Sequence, residues 1–558
     1  MKNSVIAIEL DAADPVLLET WMEQGYLPNL NRLRQSGAYG RLENVQCGIS
    51  ETRWTTLLTG CLPEKTSYWG PLSFKEGTYD FEVGDPYRFQ DYPPFYALGD
   101  DYRVAVFDIP QTVLSDRVNG IQVLGWGAHA AYTGKQSSPK PLFQEISQTY
   151  GNHPTFPNSN VDNWWTPDAI AKLQRGLKTG IARRTAICCD LLKQERWNLF
   201  FTAFNETHPS GHHFWQLSQT DHPLYPHATA QSSAGDLLLE IYQATDRAIG
   251  EILAAAPEDA TMLIFSTHGM GHNSTILTST VFLPEFLYRY SFPGKTALAP
   301  GDANQPPPPI LNHPKRKTWM GELWQLRHEP NLLKRLCKSW LPTKYQDRLD
   351  RWFPNQHYPT LISPYRIYQQ SGKYAWQPTT WYQPLWPRMK AFVLPTFGNG
   401  EGLIRINLQG REPDGIVPAT EFETVCEDLT QQLCQLTDAR TGKPIVERVI
   451  RTNQQPLDPN LGLPAGDFEA DLVVIWADLP TDVVDSPQVG RIGPIPYLRT
   501  GGHKPRGFCF AKGQGFSPGS TIPTRRAVDM TPTILQAMGA PIPDYVDGSP
   551  IEQARLVG

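Results

Sequence analysis

Two histidines four positions apart are the first candidates for chemistry in this chain of 558 residues. His208 and His212 lie in the segment ETHPSGHHFW, soon after an apolar run from Leu199 to Phe204. A continuous apolar run predicts a buried strand of a parallel sheet, and open α/β sheets bind ligands beyond the carboxyl ends of their strands. Because imidazole is a common zinc ligand, we predict that both histidines lie in a loop at this strand end and bind a catalytic metal.

Four further polar residues could act with this pair. Asp11 and His268 each follow a predicted strand, and His503 lies in TGGHKPRG, where the flanking glycines allow a close approach of the backbone to a ligand. Ser50 is a plausible helix N-cap, a position where a hydroxyl lies near a site for anions. Since a metal can activate a nucleophile and neutralise the transferred group, the set predicts metal-assisted nucleophilic catalysis. The simpler alternatives are a helix cap for Ser50 and hydrogen-bonded loop residues for the histidines.

Short apolar strands alternate with helices along most of the chain, and these elements must position the candidate residues. The predicted strands are 5–10, 104–107, 121–124, 199–204, 261–265, 391–394, 403–408 and 471–476. The predicted helices are 15–33, a helix that starts near Ser50 and stops at Gly60, 166–193, 237–255, 419–436 and 529–538. This alternation predicts an α/β fold with a doubly wound, mainly parallel sheet and helices on both faces.

The composition of the chain changes after about residue 293. Residues 294–316 are dense in Pro and Gly, which predicts an extended surface segment, and the residues that follow are rich in Trp, Arg and Tyr. We therefore predict a catalytic core whose first part is 1–293 and whose second part is 391–558. The intervening residues 294–390 would form an insertion that could cap the site.

Overall composition narrows the class of protein. The net charge is −6 and the sequence pI is about 6.1, which argues against binding to a nucleic-acid polymer. None of the 8 cysteines forms a C-x-x-C pair, so we do not expect a thiolate zinc site. We expect free thiols in a reducing compartment. The start of the chain lacks the features of a signal peptide, and no apolar run has the length of a membrane span. We expect a soluble, cytoplasmic protein; its oligomeric state is not encoded in these features.

Six segments, in this order along the chain, resemble motifs of one family. They are VIAIELDAADP, ISETRWTTLLTGCLPEK, ETHPSGHHFW, FSTHGMG, GGHKPRG and AVDMTPTILQAMGAPIPDYVDG. The chain thereby resembles the type I phosphodiesterase/nucleotide pyrophosphatase family of the alkaline phosphatase superfamily. The resemblance implies an alkaline-phosphatase-like fold with Ser50 as the nucleophile. It also implies two metal sites. In this chain the ligands of the first would be His208, His212 and His503. Those of the second would be Asp11, Ser50 and His268.

Two positions depart from the pattern of that family. The family has aspartate where this chain has His208, and aspartate where it has Thr267. The first set can still bind zinc, whereas the second has lost a charged ligand and should bind its metal more weakly. Glu206, Glu51 or Glu9 could compensate as a ligand or a supporting residue. We expect one or two zinc ions, with Mn or Mg as alternatives at the second site.

The function implied by the resemblance is metal-dependent hydrolysis of a small-molecule phosphate ester. Ser50 would attack phosphorus and form a phosphoserine, which water would then hydrolyse. A first alternative keeps the fold and makes the protein a sulfate ester hydrolase or a phosphoryl or sulfuryl transferase. The run Ser50-Glu51-Thr52-Arg53 disfavours the sulfatase, because it lacks the proline of the C/S-x-P-x-R motif. A second alternative is a degenerate site in a non-catalytic metal- or ligand-binding protein.

Overall fold

The computed structural model describes most of the chain. The described residues are 3–47, 49–128, 134–155, 167–226, 236–302, 304, 319–341, 343–353, 359–371, 377–396, 400–455 and 469–551. Within them, no helix combines the length and the apolar character that a membrane crossing requires. The predicted cytoplasmic location stays a prediction.

A ten-stranded sheet forms the centre of the molecule. Its strands are β1 (Val5–Leu10), β2 (Ala38–Glu43), β5 (Gly99–Phe107), β6 (Val118–Leu124), β7 (Gln136–Ser138), β8 (Leu199–Phe204), β9 (Thr261–Ser266), β18 (Arg506–Lys512), β19 (Ser520–Thr521) and β20 (Arg525–Arg526). Their order in the sheet is β19-β2-β18-β9-β1-β8-β5-β6-β7, with β20 beside β2. The central strands β9, β1, β8, β5 and β6 pair in parallel, whereas β18 and β7 run antiparallel to their neighbours. The predicted α/β class with a mainly parallel sheet is confirmed.

Helices cover both faces of this sheet. The α-helices are α1 (Pro15–Glu23), α2 (Pro28–Ser36), α3 (Ser50–Thr59), α4 (Pro63–Thr66), α5 (Leu142–Tyr150), α6 (Pro167–Gln194), α7 (Thr207–Ser218), α8 (Leu237–Ala255), α9 (Leu283–Ser291), α10 (Trp319–Gln325), α11 (Leu332–Trp340), α12 (Thr343–Trp352), α13 (Pro364–Ser371), α14 (Phe422–Leu433) and α15 (Met530–Met538). Alternate residues of β1 face opposite ways: Ile6 and Ile8 pack in a core with α1, α2, α6 and α8. Val5 and Ala7 pack on the other side with α3 and α15. This alternation follows from the two-residue period of a strand.

A second core lies around a four-stranded sheet of order β11-β12-β15-β14. The remaining strands are β3 (Leu72–Phe74), β4 (Phe81–Val83), β10 (Gly269–His272), β11 (Ala391–Val393), β12 (Gly402–Ile406), β13 (Thr437–Asp438), β14 (Val446–Arg451), β15 (Leu472–Trp476), β16 (Val484–Asp485) and β17 (Gly501–Lys504). This core gathers buried side chains of α9, α10, α14 and the 3-10 helix Pro378–Arg388. It therefore draws on residues before, within and after 294–390, and the predicted division of the chain at 294 and 390 stays a prediction.

Two sequence-based expectations of local structure are wrong. The helix predicted for 15–33 is two helices, since the chain turns at Gly25, which has a φ of 80°, and α2 restarts at Pro28. The loop predicted after Phe204 is instead helix α7, which begins at Thr207. Pro209 is compatible with this helix because it lies in the first turn, where its missing N–H removes no helical hydrogen bond.

Candidate metal centre

Neighbouring strands of the large sheet bring the predicted site residues together. Asp11 follows β1, helix α7 follows β8, and His268 follows β9; β1 lies between β8 and β9. Because these three strands are parallel, their carboxyl ends meet at one edge of the sheet. His503 arrives from far along the chain on β17, which pairs antiparallel with β10 and places His503 opposite Met270.

The first group of candidate ligands consists of His208, His212 and His503, all buried, with ligand atoms within 4.8 Å of one another. His208 and His212 are one helical turn apart on α7, so both project from one face of the helix. The Nε2 atoms of His208 and His503 are 3.1 Å apart. Three imidazoles that converge in this way suit zinc, which takes nitrogen ligands in a tetrahedral arrangement.

The backbone of β17 sets the tautomer of His212. Nδ1 of His212 is 2.8 Å from the carbonyl oxygen of Gly501 and donates its proton there, which leaves the lone pair on Nε2. Nη1 of Arg499, which can only donate, lies 3.3 Å from that Nε2. This close approach needs glycine: a Cβ on Gly501 would lie 2.1 Å from the carbonyl oxygen of Gly211 in α7. A metal-binding histidine commonly has such a carbonyl partner for its second nitrogen.

The second group consists of Glu9, Asp11 and His268, again buried and with ligand atoms within 4.8 Å of one another. Nε2 of His268 is 3.6 Å from Oδ1 of Asp11. Oε2 of Glu9 has no hydrogen-bond partner among the described residues. Burial and the adjacent Asp11 raise the pKa of Glu9 well above its ordinary value, while the backbone N–H of Thr267 opposes the shift. Two buried carboxylates beside an imidazole form a donor set that fits a divalent cation.

Ser50 is the first residue of helix α3, and Ile49 is the N-cap. The prediction that Ser50 is itself the N-cap is therefore wrong by one position. Ile49 makes no side-chain hydrogen bond to the helix, and Gly60 ends it in a left-handed conformation with a φ of 71°, as the sequence predicts. The side chain of Ser50 lies outside the described part of the structure. Its role as nucleophile or ligand stays a prediction.

Neither Glu206 nor Glu51 belongs to the two groups of converging ligands in the described structure. Glu206 instead faces Arg184 of α6. Nε of Arg184 lies 3.1 Å from both carboxylate oxygens of Glu206. Nε2 of His153 lies 3.0 Å from the same carboxylate. Burial alone would raise the pKa of Glu206, but Arg184 and His153 outweigh it and lower that pKa. Glu206 is therefore not one of the converging ligands, and its contacts support the start of α7, the helix that carries His208 and His212.

Arg53 is a buried cation that the sequence-based reasoning did not assign to the site. It follows Ser50 by one helical turn on α3, and helical side chains lean towards the N-terminus of their helix. Among the described residues its Nε and Nη1 have no hydrogen-bond partner. Burial lowers the pKa of Arg53 to about 10, although nearby Glu401 opposes the shift. The only signal in the sequence was its spacing from Ser50, which is also compatible with an exposed helical arginine.

This chain is similar in sequence to a known family and in structure to known proteins. The family model described as type I phosphodiesterase/nucleotide pyrophosphatase matches residues 5–304, more than half of the chain. No curated protein sequence gives a significant match. Among solved structures, the phosphonoacetate hydrolase of Sinorhizobium meliloti with bound phosphonoformate is 13% identical with a TM-score of 0.46, covering 97% of this chain and 96% of that chain. Murine ectonucleotide pyrophosphatase/phosphodiesterase 5 with bound AMP is 10% identical with a TM-score of 0.44, covering 98% of both chains.

Proposed function

This chain belongs to the type I phosphodiesterase/nucleotide pyrophosphatase family, and from that premise we propose that it is a metal-dependent hydrolase of small-molecule phosphate esters with Ser50 as its nucleophile. The observation that supports this most strongly is the convergence of six buried ligand residues at one sheet edge. They form two groups of three, the trio of histidines and the trio of Glu9, Asp11 and His268. A degenerate site would not need to keep both sets in place.

The two groups differ in charge, and this difference bears on which metal each group would hold. The histidine trio offers three neutral nitrogen donors and fits zinc. The second trio offers two carboxylates and one imidazole, and it suits zinc, manganese or magnesium. Bound at these groups, the ions would supply positive charge to the transferred phosphoryl group and would lower the pKa of an adjacent hydroxyl.

Glu9 compensates in this proposal for the carboxylate that is absent at Thr267. Its carboxylate lies beside Asp11 and His268 in the buried group. Its Oε1 is 3.5 Å from the backbone N–H of Thr267, so Glu9 reaches the end of the strand where the family has its aspartate. The second site thereby keeps two negative ligands, and the charge of a divalent ion there would be balanced.

The remaining groups bind and orient the ester. Ser50 stands at the N-terminus of α3, where unpaired backbone N–H groups favour a phosphate anion. Its oxygen forms a bond to phosphorus as the bond to the leaving alkoxide breaks, and water then hydrolyses the phosphoserine. Arg53, buried on the same helix, adds a positive charge for the non-bridging oxygens. Although Glu401 lies near, Nε and Nη1 of Arg53 have no hydrogen-bond partner among the described residues, which is explained if the substrate supplies the anion.

A substrate panel with active-site variants tests this proposal. Purified protein would be assayed on an aryl phosphate monoester, an aryl phosphate diester, a nucleotide diester and an aryl sulfate, with and without chelator. We expect chelator-sensitive hydrolysis of a phosphate ester, and Ser50→Ala should lower kcat by about a thousandfold or more. The matched variant Ser50→Thr keeps a hydroxyl and should retain measurable turnover.

Three results would contradict parts of the proposal. Full metal-dependent activity of Ser50→Ala would remove Ser50 as the nucleophile. Turnover of the sulfate ester alone would favour a sulfate ester hydrolase. Protein that holds no tightly bound metal and turns over none of the four substrates would favour a non-catalytic binding protein.

A further inference from the structure

Helices α11 and α12 carry large apolar side chains on the outside of the molecule. Leu333 is 75% exposed, Trp340 is 88% exposed and Trp352 is 75% exposed. Further exposed members of the same short stretch are Leu332, Leu336 and Phe353. We call these six residues the apolar face. Soluble proteins rarely expose such a group of neighbours, and a set of this kind marks a surface for interaction.

The same two helices turn some of their charged side chains inward. Lys334 and Lys338 lie one turn apart on α11 and are largely buried. Nζ of Lys334 is 2.8 Å from Asp350 of α12, and Nζ of Lys338 is 2.6 Å from the same carboxylate. Nζ of Lys338 also lies 2.7 Å from Glu329. On α11 the usual arrangement of an amphipathic helix is thus partly inverted, because Lys334 and Lys338 face the protein while the leucines face solvent.

Further hydrogen bonds hold the helices in this orientation. The buried amide of Gln346 on α12 donates to the carbonyl oxygens of Lys338 and Leu341, at 2.9 and 2.8 Å. Nη2 of Arg327 donates to the Oε1 atom of Gln346 at 2.8 Å. Rotating α11 to bury its leucines would break these bonds and the lysine ion pairs together. The exposure of the apolar face is therefore built into the packing of the two helices.

The charged side chains that the structure describes at exposed positions of this region are positive. Arg335, Arg348 and Arg351 are exposed, and no described side chain at an exposed position from 331 to 353 is acidic. The chain as a whole carries a net charge of −6, so this face differs in sign from the molecule that carries it. Positive residues that border exposed Leu, Trp and Phe suit a surface with negative charge outside and apolar material beneath.

We propose that the apolar face docks on an anionic lipid surface, with α11 and α12 lying in the plane of the membrane interface. Leucine and phenylalanine would enter the acyl boundary, tryptophan would lie at the headgroup level, and the arginines would contact lipid phosphates. This mode of binding needs no membrane-spanning helix. It is independent of the proposed catalysis, because none of the six residues belongs to the metal centre.

Co-sedimentation of the full chain with vesicles tests this proposal. One set of vesicles contains phosphatidylcholine alone, and the other also contains phosphatidylglycerol. We expect binding to the second set, weakened by salt, and a loss of about tenfold or more in partitioning for the double variant Leu333→Ser/Trp340→Ser. Ile416→Ser, which changes a 42% exposed residue elsewhere, is the matched control and should bind as the unaltered protein does.

The charge contribution is tested separately. Arg335→Gln/Arg348→Gln should weaken binding to the anionic vesicles and reduce its dependence on salt. Since all altered side chains are exposed, each variant should show the thermal unfolding temperature of the original protein. Absence of binding to either set of vesicles would overturn the proposal. So would a homodimer, detected by sedimentation equilibrium, that Leu333→Ser/Trp340→Ser dissociates, because a second copy of the chain would then cover the face.

Discussion

At the scale of single residues, the candidate metal centre differs from the pattern that the resemblance implies in where its negative charge lies. His208 is a neutral donor where the resemblance implies a carboxylate, so the histidine trio carries no formal charge. The second trio retains two carboxylates only because Glu9, an interior residue of β1, points to the same side as Asp11. An isolated carboxylate in that position would be strongly disfavoured, and a bound cation gives a physical reason for its presence.

The first prediction concerns Glu9→Gln. Glutamine is neutral and similar in size, and burial beside Asp11 disfavours the charged form of Glu9 when no metal is bound, so the thermal unfolding temperature of chelator-treated protein should be unchanged or higher. In contrast, the affinity of the second site for its metal should fall by about tenfold or more, because a charged ligand is lost. Elemental analysis after dialysis would measure bound metal, with the exposed Glu43→Gln as the matched control. Metal content equal to that of the unaltered protein would contradict the assignment of Glu9.

At the scale of elements, one arginine connects the helix that carries two histidines with the sheet beneath it. Arg184 of α6 is fully buried, and its Nη2 lies 2.8 Å from Asp108 at the end of β5. Its Nε contacts Glu206, directly before α7. Burial would lower the pKa of Arg184, but Glu206 and Asp108 reverse the shift and raise it. The guanidinium thereby fixes the N-terminus of α7, and with it the positions of His208 and His212.

The second prediction is that Arg184→Met strongly destabilises the fold. Two buried carboxylates would lose the guanidinium that they share, and breaking a buried ion pair typically lowers the free energy of unfolding by about 3–5 kcal/mol. Urea denaturation would measure this loss, and metal affinity of the histidine trio should fall with it. The matched control is Arg196→Met, whose ion pair with Asp259 is exposed on the surface. Its free energy of unfolding should equal that of the unaltered protein. Equal stability of the two variants would contradict a structural role for Arg184.

At the scale of the whole molecule, the candidate metal centre joins distant parts of the chain. Its candidate ligands come from residues 9 and 11, from 208 and 212, from 268 and from 503. Strand β18, directly after His503, inserts between β9 and β2 in the large sheet. Bound metal would therefore favour the same long-range arrangement that the sheet requires, since the ligands converge only in the folded chain.

The third prediction is that removal of metal destabilises the whole fold. A ligand that binds only the folded state at about 100 times its Kd adds about 2.7 kcal/mol to the free energy of unfolding. Treatment with chelator should therefore lower the thermal unfolding temperature, and added zinc should restore it. In His212→Asn the effect of chelator should be smaller, because one zinc ligand is missing. An unfolding temperature that chelator leaves unchanged, in protein shown to contain metal beforehand, would contradict this account.

The sequence by itself determined the local elements and the candidate residues at their ends. The apolar runs specify β1, β8 and β9, and the periodic pattern of 237–255 specifies α8, because local burial patterns follow the periods of strand and helix. Only the tertiary structure decided which side chains meet. Glu206 turns to Arg184, whereas Glu9 turns to Asp11 and His268, and no local signal distinguishes these acids. Sheet order and helix packing depend on contacts between residues hundreds of positions apart, which local patterns do not encode.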